Sequence, residues 1–125
     1  MNKVIYPQKR KFSRYDDHHY LLYLNEEVVE DYIPDDAQED FTPITAYSYT
    51  GDQEDGSTMI HAIEATYEAF VSGLIRTRYS ADQVEAILLN IQSNNPERQT
   101  EFQDELDQLN AFREECKAKA ASLLE

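Results

Sequence analysis

The spacing of apolar residues changes at Gly56, and that change limits the folds open to the chain. Apolar residues that alternate belong on a half-buried strand, and those recurring every three or four positions belong on a helix face. Before Gly56 the signals are strand-like. His18 to Leu24 (HHYLLYL) is rich in aromatic and apolar residues and reads as a strand, and Asn25-Glu26-Glu27 reads as a polar turn. Val28 to Ile33 then returns antiparallel, with Val29, Asp31 and Ile33 alternating against Val28, Glu30 and Tyr32. Both of its faces carry apolar residues, so pattern alone does not set the register. Pro34-Asp35-Asp36 ends the segment, residues 34–40 read as a charged loop, and Ile44 to Thr50 reads as a third strand. Seven of the nine tyrosines precede Gly56, which suits a sheet whose rings pack while their hydroxyls reach water.

After Gly56 the period is helical. Met59, Ile60, Ile63, Tyr67, Phe70, Val71 and Leu74 predict one helix face, with Ser57 or Asp55 as its cap and Gly73 allowing close packing near its end. Arg76 and Arg78 follow, where cations suit the negative end of the helix dipole. The second helix has the clearest start. Ser80 and Gln83 form a capping box, and Tyr79 and Val84 occupy the positions of a hydrophobic staple. Val84, Ile87, Leu88 and Ile91 predict its buried stripe, and Ser93-Asn94-Asn95 stops it. A third helix is expected with Asn95 as cap and Pro96 in the first turn, where a missing N–H costs nothing. Its stripe runs through Phe102, Leu106, Leu109, Phe112 or Arg113, Cys116, Ala120 and Leu123. The short link predicts that the second and third helices pack as an antiparallel hairpin.

These readings give an α+β domain over residues 1–125: a small antiparallel sheet of about three strands followed by three helices packed on one face. Residues 1–56 form the strand-rich acidic part and residues 57–125 the helical part.

Charge is distributed as unevenly as hydropathy. Residues 15–56 hold thirteen Asp and Glu and no Lys or Arg, which is nearly the whole net charge of −14. The first fourteen residues carry five cations (Lys3, Lys9, Arg10, Lys11 and Arg14). A surface so acidic repels nucleic acid and anionic membrane, so neither is expected as a direct ligand. No run approaches the eighteen apolar residues of a membrane span, and no apolar stretch follows the basic residues at the N-terminus, so a cytoplasmic location is expected. Cys116 is the single cysteine, which rules out an internal disulfide, and its place on an apolar helix face reads as a small buried hydrophobe.

Few constellations suggest chemistry. Asp16-Asp17-His18-His19 has metal-ligand residue types, but strand neighbours point to opposite faces, so only Asp16 and His18 converge, beside Tyr20. Gly51-Asp52-Gln53-Glu54-Asp55-Gly56 looks like the start of a calcium loop. Counted from Asp52, however, the sixth position is Ser57 and the twelfth Ile63, where an EF-hand needs Gly and Glu. There is no nucleophile elbow, zinc-protease motif or phosphate-binding glycine loop. Lys9-Arg10-Lys11 is expected to pair with the chain's own acids. No catalytic residue, cofactor or metal ligand is assigned, and no enzyme activity is expected.

The segment Tyr67 to Ile87, above all Leu74-Ile75-Arg76-x-Arg78-Tyr79-Ser80, together with Arg113-Glu114-Glu115-Cys116-Lys117, resembles small uncharacterised prophage-type proteins of gut bacteria over the C-terminal half. The resemblance implies a phage-accessory or structural role and transfers no functional residue. The leading expectation is therefore a non-enzymatic interaction or structural accessory protein, with a protein partner or self-association. The alternatives are an acidic nucleic-acid mimic that inhibits a basic protein, and a metal site or enzyme around Asp16 and His18.

Overall fold

A computed structural model describes residues 1–125. Its strands are β1 (Asn2–Tyr6), β2 (Phe12–Asp16), β3 (His19–Leu22), β4 (Glu27–Tyr32), β5 (Ile44–Gly51) and β6 (Thr58–His61). Its helices are α1 (Tyr67–Arg76), α2 (Ala81–Gln92) and α3 (Gln99–Leu123). The fold is α+β, with the helices in the C-terminal half as expected. It has two antiparallel three-stranded sheets, β1-β5-β4 and β2-β3-β6, where the sequence predicts one. The chain divides into two compact units, Met1–Met59 and Ile60–Glu125.

In the N-terminal unit β5 is the central strand of its sheet. It pairs with β1 from Asn2↔Gly51 to Tyr6↔Tyr47 and with β4 from Glu27↔Ser48 to Tyr32↔Ile44. Ala46, Ser48 and Tyr49 of β5 are fully buried, as a strand paired on both sides requires. The segment Val28 to Ile33 was expected to fold back on His18 to Leu24, but it does not. β3 pairs instead with β2, Phe12 opposite Leu22. The reason lies at Leu24 and Asn25. The Leu24 carbonyl accepts the Thr50 N–H at 3.2 Å, and Asn25 turns the chain with φ of +58° while its side chain donates to the Thr50 carbonyl. The chain thus leaves one sheet and joins the other, because Asn tolerates the left-handed conformation that this turn needs. The strand β1 goes unrecognised in the sequence because its apolar core, Val4-Ile5-Tyr6, is short and follows polar residues.

β4 is an edge strand with an interruption. Its register with β5 shifts between Val29 and Tyr32, and Asp31 lies there with φ of +52°. The loop between β5 and β6 closes on itself: Gln53 N–H donates to the Ser57 carbonyl, and Gly56 N–H to the Gln53 carbonyl. Gly56 adopts φ of +83°, and a Cβ there would lie 2.8 Å from the Tyr49 carbonyl oxygen.

In the helical unit, α1 starts later than the apolar spacing predicts. Met59 and Ile60 belong to β6, where Ile60 is buried and His61 exposed, and Ile63 is 60% exposed. Three apolar residues, Met59, Ile60 and Ile63, extend the helical pattern backwards by chance spacing. The cap is Thr66, whose hydroxyl accepts the Ala69 N–H at 3.3 Å, rather than Ser57 or Asp55. The α2 start is as read: Ser80 Oγ accepts the Gln83 N–H at 3.0 Å, and Gln83 Oε1 accepts the Ser80 N–H at 2.8 Å. α3 begins at Gln99, not at Asn95-Pro96. The Arg98 N–H closes a turn on the Asn95 carbonyl, and the helical ladder starts with Phe102 N–H on the Arg98 carbonyl. Pro96 thus sits in the turn before the helix. The buried face of α3 is Phe102, Leu109, Cys116, Ala120 and Leu123, matching five positions of the expected stripe. Burial raises the Cys116 thiol pKa, as befits a packing residue.

Helix α1 carries Gly73 where the backbone comes closest to β6. A Cβ at that position would lie 2.7 Å from the His61 carbonyl oxygen and 2.9 Å from Ile60 Cδ1. Alanine in a helix gains about 0.8–1.0 kcal/mol over glycine in propensity. Overpacking against backbone costs about 1–3 kcal/mol, so the clash wins. Gly73→Ala is therefore expected to destabilise the protein by roughly 1 kcal/mol or more, read as a lower urea midpoint with unchanged slope. An increase in stability would show that α1 and β6 do not approach so closely.

Candidate functional site

The most organised polar geometry of the N-terminal unit is built around Arg10, in the loop joining β1 to β2. Its guanidinium lies 4.6 Å from the ring centroids of both Tyr6 and Tyr23. Its Nη2 donates to the Tyr23 hydroxyl at 3.2 Å, and its backbone N–H donates to the Tyr49 hydroxyl at 2.9 Å. The two hydroxyls pass the interaction on. Tyr23 donates to Asp55 Oδ2 at 2.9 Å and Tyr49 donates to Glu26 Oε1 at 2.7 Å. The Tyr6 hydroxyl donates to the Asp55 carbonyl. The rings meet edge to face, Tyr23 lying 5.7 Å from Tyr49 and 5.9 Å from Tyr6. Sequence places these residues far apart, and only the pairing of β1 with β5 and the turn at Asn25 gather them.

The electrostatics follow from the geometry. Tyr49 is wholly buried, and that burial, with Glu26 accepting its proton, pushes its phenol up to about 12. Burial alone would raise the Asp55 carboxyl, but hydrogen bonds from the Ser57 hydroxyl and N–H and from Tyr23 outweigh it, and Arg10 adds to them. Asp55 therefore ionises below the ordinary carboxylate range. Lys9 pairs with Glu26 at 3.7 Å and lies over the Tyr47 ring, and Lys3 pairs with Glu27 at 3.1 Å. The expectation that the basic segment pairs with the chain's own acids is met at Lys9, whereas Arg10 reaches Asp55 through the Tyr23 hydroxyl. A cleft of about 320 Å³ opens beside this loop, lined by Tyr6, Lys9, Arg10, Phe12 and Tyr23 among others. The charges bordering it are largely answered from within the unit, so the cluster is a clasp that fixes the loop.

Asp16 and His18, the expected converging pair, are joined differently. Asp16 Oδ1 accepts the His18 backbone N–H at 2.8 Å and contacts His19 Nδ1 at 2.9 Å. Those two hydrogen bonds lower the Asp16 pKa, that from His18 most. The β-bulge between Arg14 and Asp16 is what brings His19 opposite Asp16. No group of three or more His, Cys, Asp or Glu side chains has the geometry to hold a metal ion.

In the helical unit the notable surface is α2. No residue of this helix is buried. Leu88 is 44% exposed and Leu89 57% exposed, although Leu88 was expected in the buried stripe with Val84, Ile87 and Ile91, which are only half-buried. The exposure has a simple cause: α3 packs against α1 as well as α2, so α2 has a single helical neighbour to cover its apolar arc. A groove of about 340 Å³ runs between α2 and α3, with Tyr79, Ala86 and Ile87 on one side and Glu105 and Gln108 on the other. Tyr79 is steadied there by Phe112, 5.8 Å away, over which the Arg78 guanidinium lies at 5.1 Å. Nothing in the sequence separated this face from an ordinary core stripe. No helix is long and apolar enough to cross a membrane.

Comparison with protein-family models, curated proteins and solved structures returns no match to this chain.

The clasp makes a pH prediction. The Asp55 pKa is depressed in the folded protein, so its contribution is present above the unfolded value, near about 3.9, and is lost as pH falls through the folded one. Asp55→Ala should cost about 1.5–3 kcal/mol at neutral pH, the range for hydrogen bonds to a charged group. The difference between variant and native stability should shrink as pH drops below about 4, measured by urea unfolding across pH. A gap that stays constant down to pH 2 would mean that Asp55 does not act through its charge.

Proposed function

We propose that this protein is a non-enzymatic interaction module that docks a protein partner onto its helical unit, in keeping with the accessory role implied by the prophage-type resemblance. The observation that carries this is α2, a well-capped helix that leaves Leu88 and Leu89 in water. A capping box fixes where the helix starts and is worth about 1 kcal/mol, so the helix is held in place while its apolar arc is only partly covered. Apolar side chains beside a groove mark interaction surfaces when they occur together. The rim of α2 carries Asp82 and Glu85, and Glu105 borders the groove, so the surface suits a partner that brings apolar residues flanked by cations.

A second reading rests on a different observation. Glu26, Glu27, Glu30, Asp31, Asp35, Asp36, Glu39 and Asp40 are all solvent-exposed, on β4 and the segments either side of it. The loop after β4 is folded by hydrogen-bonded turns, Ala37 N–H on Pro34 and Phe41 N–H on Gln38. An ordered acidic surface of this kind supports mimicry of nucleic-acid charge against a basic protein.

One experiment separates the two. The chain is used as bait in its native host's lysate, beside a Leu88→Glu, Leu89→Glu double variant and a Glu30→Gln, Asp31→Asn, Asp35→Asn, Asp36→Asn variant. Both sets lie on the surface and should change stability by no more than about 0.5 kcal/mol per site. The first reading expects a specific partner, or self-association by sedimentation, that the leucine variant loses by tenfold or more and the neutralised variant keeps. The reverse pattern supports charge mimicry. A monomer that captures nothing in either form would overturn both.

A further inference from the structure

A second groove in the helical unit has the opposite character. It lies between α1 and α3 and has a volume of about 280 Å³. Val71 and Ile75 of α1, both nearly buried, form its apolar floor, and Tyr67, 39% exposed, lies on its wall. Arg76, Arg113 and Lys117 border it. In a chain of net charge −14 with eleven cations, three at one groove is a marked local reversal. Within the helical unit Arg98 is held by Glu101, and Arg78 lies over Phe112. Arg76 and Arg113, by contrast, have no carboxylate partner. Lys117 is paired with Glu114 at 3.1 Å, but Glu114 is 69% exposed on its side chain, and a surface pair of that kind is worth about 0–1 kcal/mol and exchanges readily.

The ordinary explanations account for part of this arrangement. Arg76 stands in the last turn of α1, where the helix dipole favours a cation. Arg113 and Lys117 stand well inside α3, one turn apart, and the dipole of that helix gives them no such role. Glu68, the single acid at the groove, is in the first turn of α1, where the dipole holds a carboxylate. It lies two turns along α1 from Arg76 and leaves the cationic end open.

We propose that the α1–α3 groove binds an acidic peptide segment of a partner protein, with one apolar anchor side chain seated on Val71 and Ile75 and carboxylates engaged by Arg76, Arg113 and Lys117. The size favours a peptide over a whole small molecule. Ligand pockets that enclose a small molecule run from about 300 to 1,000 Å³, whereas this groove accommodates one large side chain with its flanks in the open. Paired guanidiniums suit carboxylates because they can bind them bidentately. An exposed tyrosine beside an apolar floor is the composition of an interface centre. This inference stands apart from the α2 surface, which is acidic at its rim, and neither depends on the other.

The test uses the full chain and a short fluorescein-labelled peptide alternating Glu and Leu, followed by anisotropy at low and at physiological salt. A control peptide replaces every Glu with Lys. The acidic peptide should bind and the lysine peptide should not. Arg76→Gln with Arg113→Gln should weaken binding by tenfold or more, and Val71→Thr should weaken it by a smaller factor. Asn94→Ala, at an exposed position away from the groove, should leave it unchanged. Circular dichroism of each variant guards against unfolding, and chemical shift changes confined to residues 67–76 and 113–117 of the native chain locate the site without any substitution. Equal binding of both peptides, shifts centred elsewhere, or full affinity in the folded double arginine variant would each overturn the proposal. So would self-association through this groove that the acidic peptide fails to compete away, since the occupant would then be a second copy.

Discussion

The placement of one guanidinium organises the N-terminal unit. Arg10 sits between two tyrosine rings, and through their hydroxyls it is tied to Asp55, while its backbone is tied through Tyr49 to Glu26. Three stretches of the chain, around residues 6–10, 23–26 and 49–55, therefore converge on one residue. The cation resolves two difficulties at once. It offers charge to an acidic stretch that has none of its own, and it supplies the donor that the Tyr23 hydroxyl accepts while that hydroxyl donates to Asp55. Removing the positive charge would leave Asp55 with weaker compensation, while the backbone link to Tyr49 would remain, so the loop and the acidic turn are stabilised together.

How much of this was legible in the sequence depends on whether the signal is local. Ser80 and Gln83 are three residues apart and satisfy each other, so the start of α2 could be read with no knowledge of the rest. The buried face of α3 follows from a repeating spacing over 25 residues, long enough for chance to average out. The start of α1 could not be read that way. Met59, Ile60 and Ile63 fit a helical spacing by accident, and the decision is made by Thr66, whose hydroxyl caps the true first turn. Strand partners were beyond reach because pairing is a contest between distant segments. The turn at Asn25 looks like a hairpin, yet it sends the chain to β5 because Leu24 and Thr50 bond across 26 residues.

The functional surfaces divide along the same line. The clasp could have been suspected only in outline, as basic residues near acidic ones, since its tyrosines are gathered by sheet pairing. The exposure of Leu88 and Leu89 could not have been foreseen, because a helix's apolar arc says that something covers it and not what. The cationic groove was hidden for a further reason. Arg76 and Arg113 are 37 positions apart, and only the packing of α1 on α3 sets them beside each other in a chain whose average charge points the other way.

The interrupted edge of β4 has a consequence for life at high concentration. A straight outer strand offers unsatisfied N–H and C=O groups that can recruit another chain, and stacked recruitment of that sort leads to fibrils. Here the ladder slips between Val29 and Tyr32, Asp31 turns out of extended geometry, and Glu27, Glu30 and Asp31 charge the margin. An incoming strand would find hydrogen-bonding groups out of step and carboxylates in its path. Recruitment of a second chain along β4 is therefore disfavoured, even though Val28 and Ile33 stand open to water on the same border.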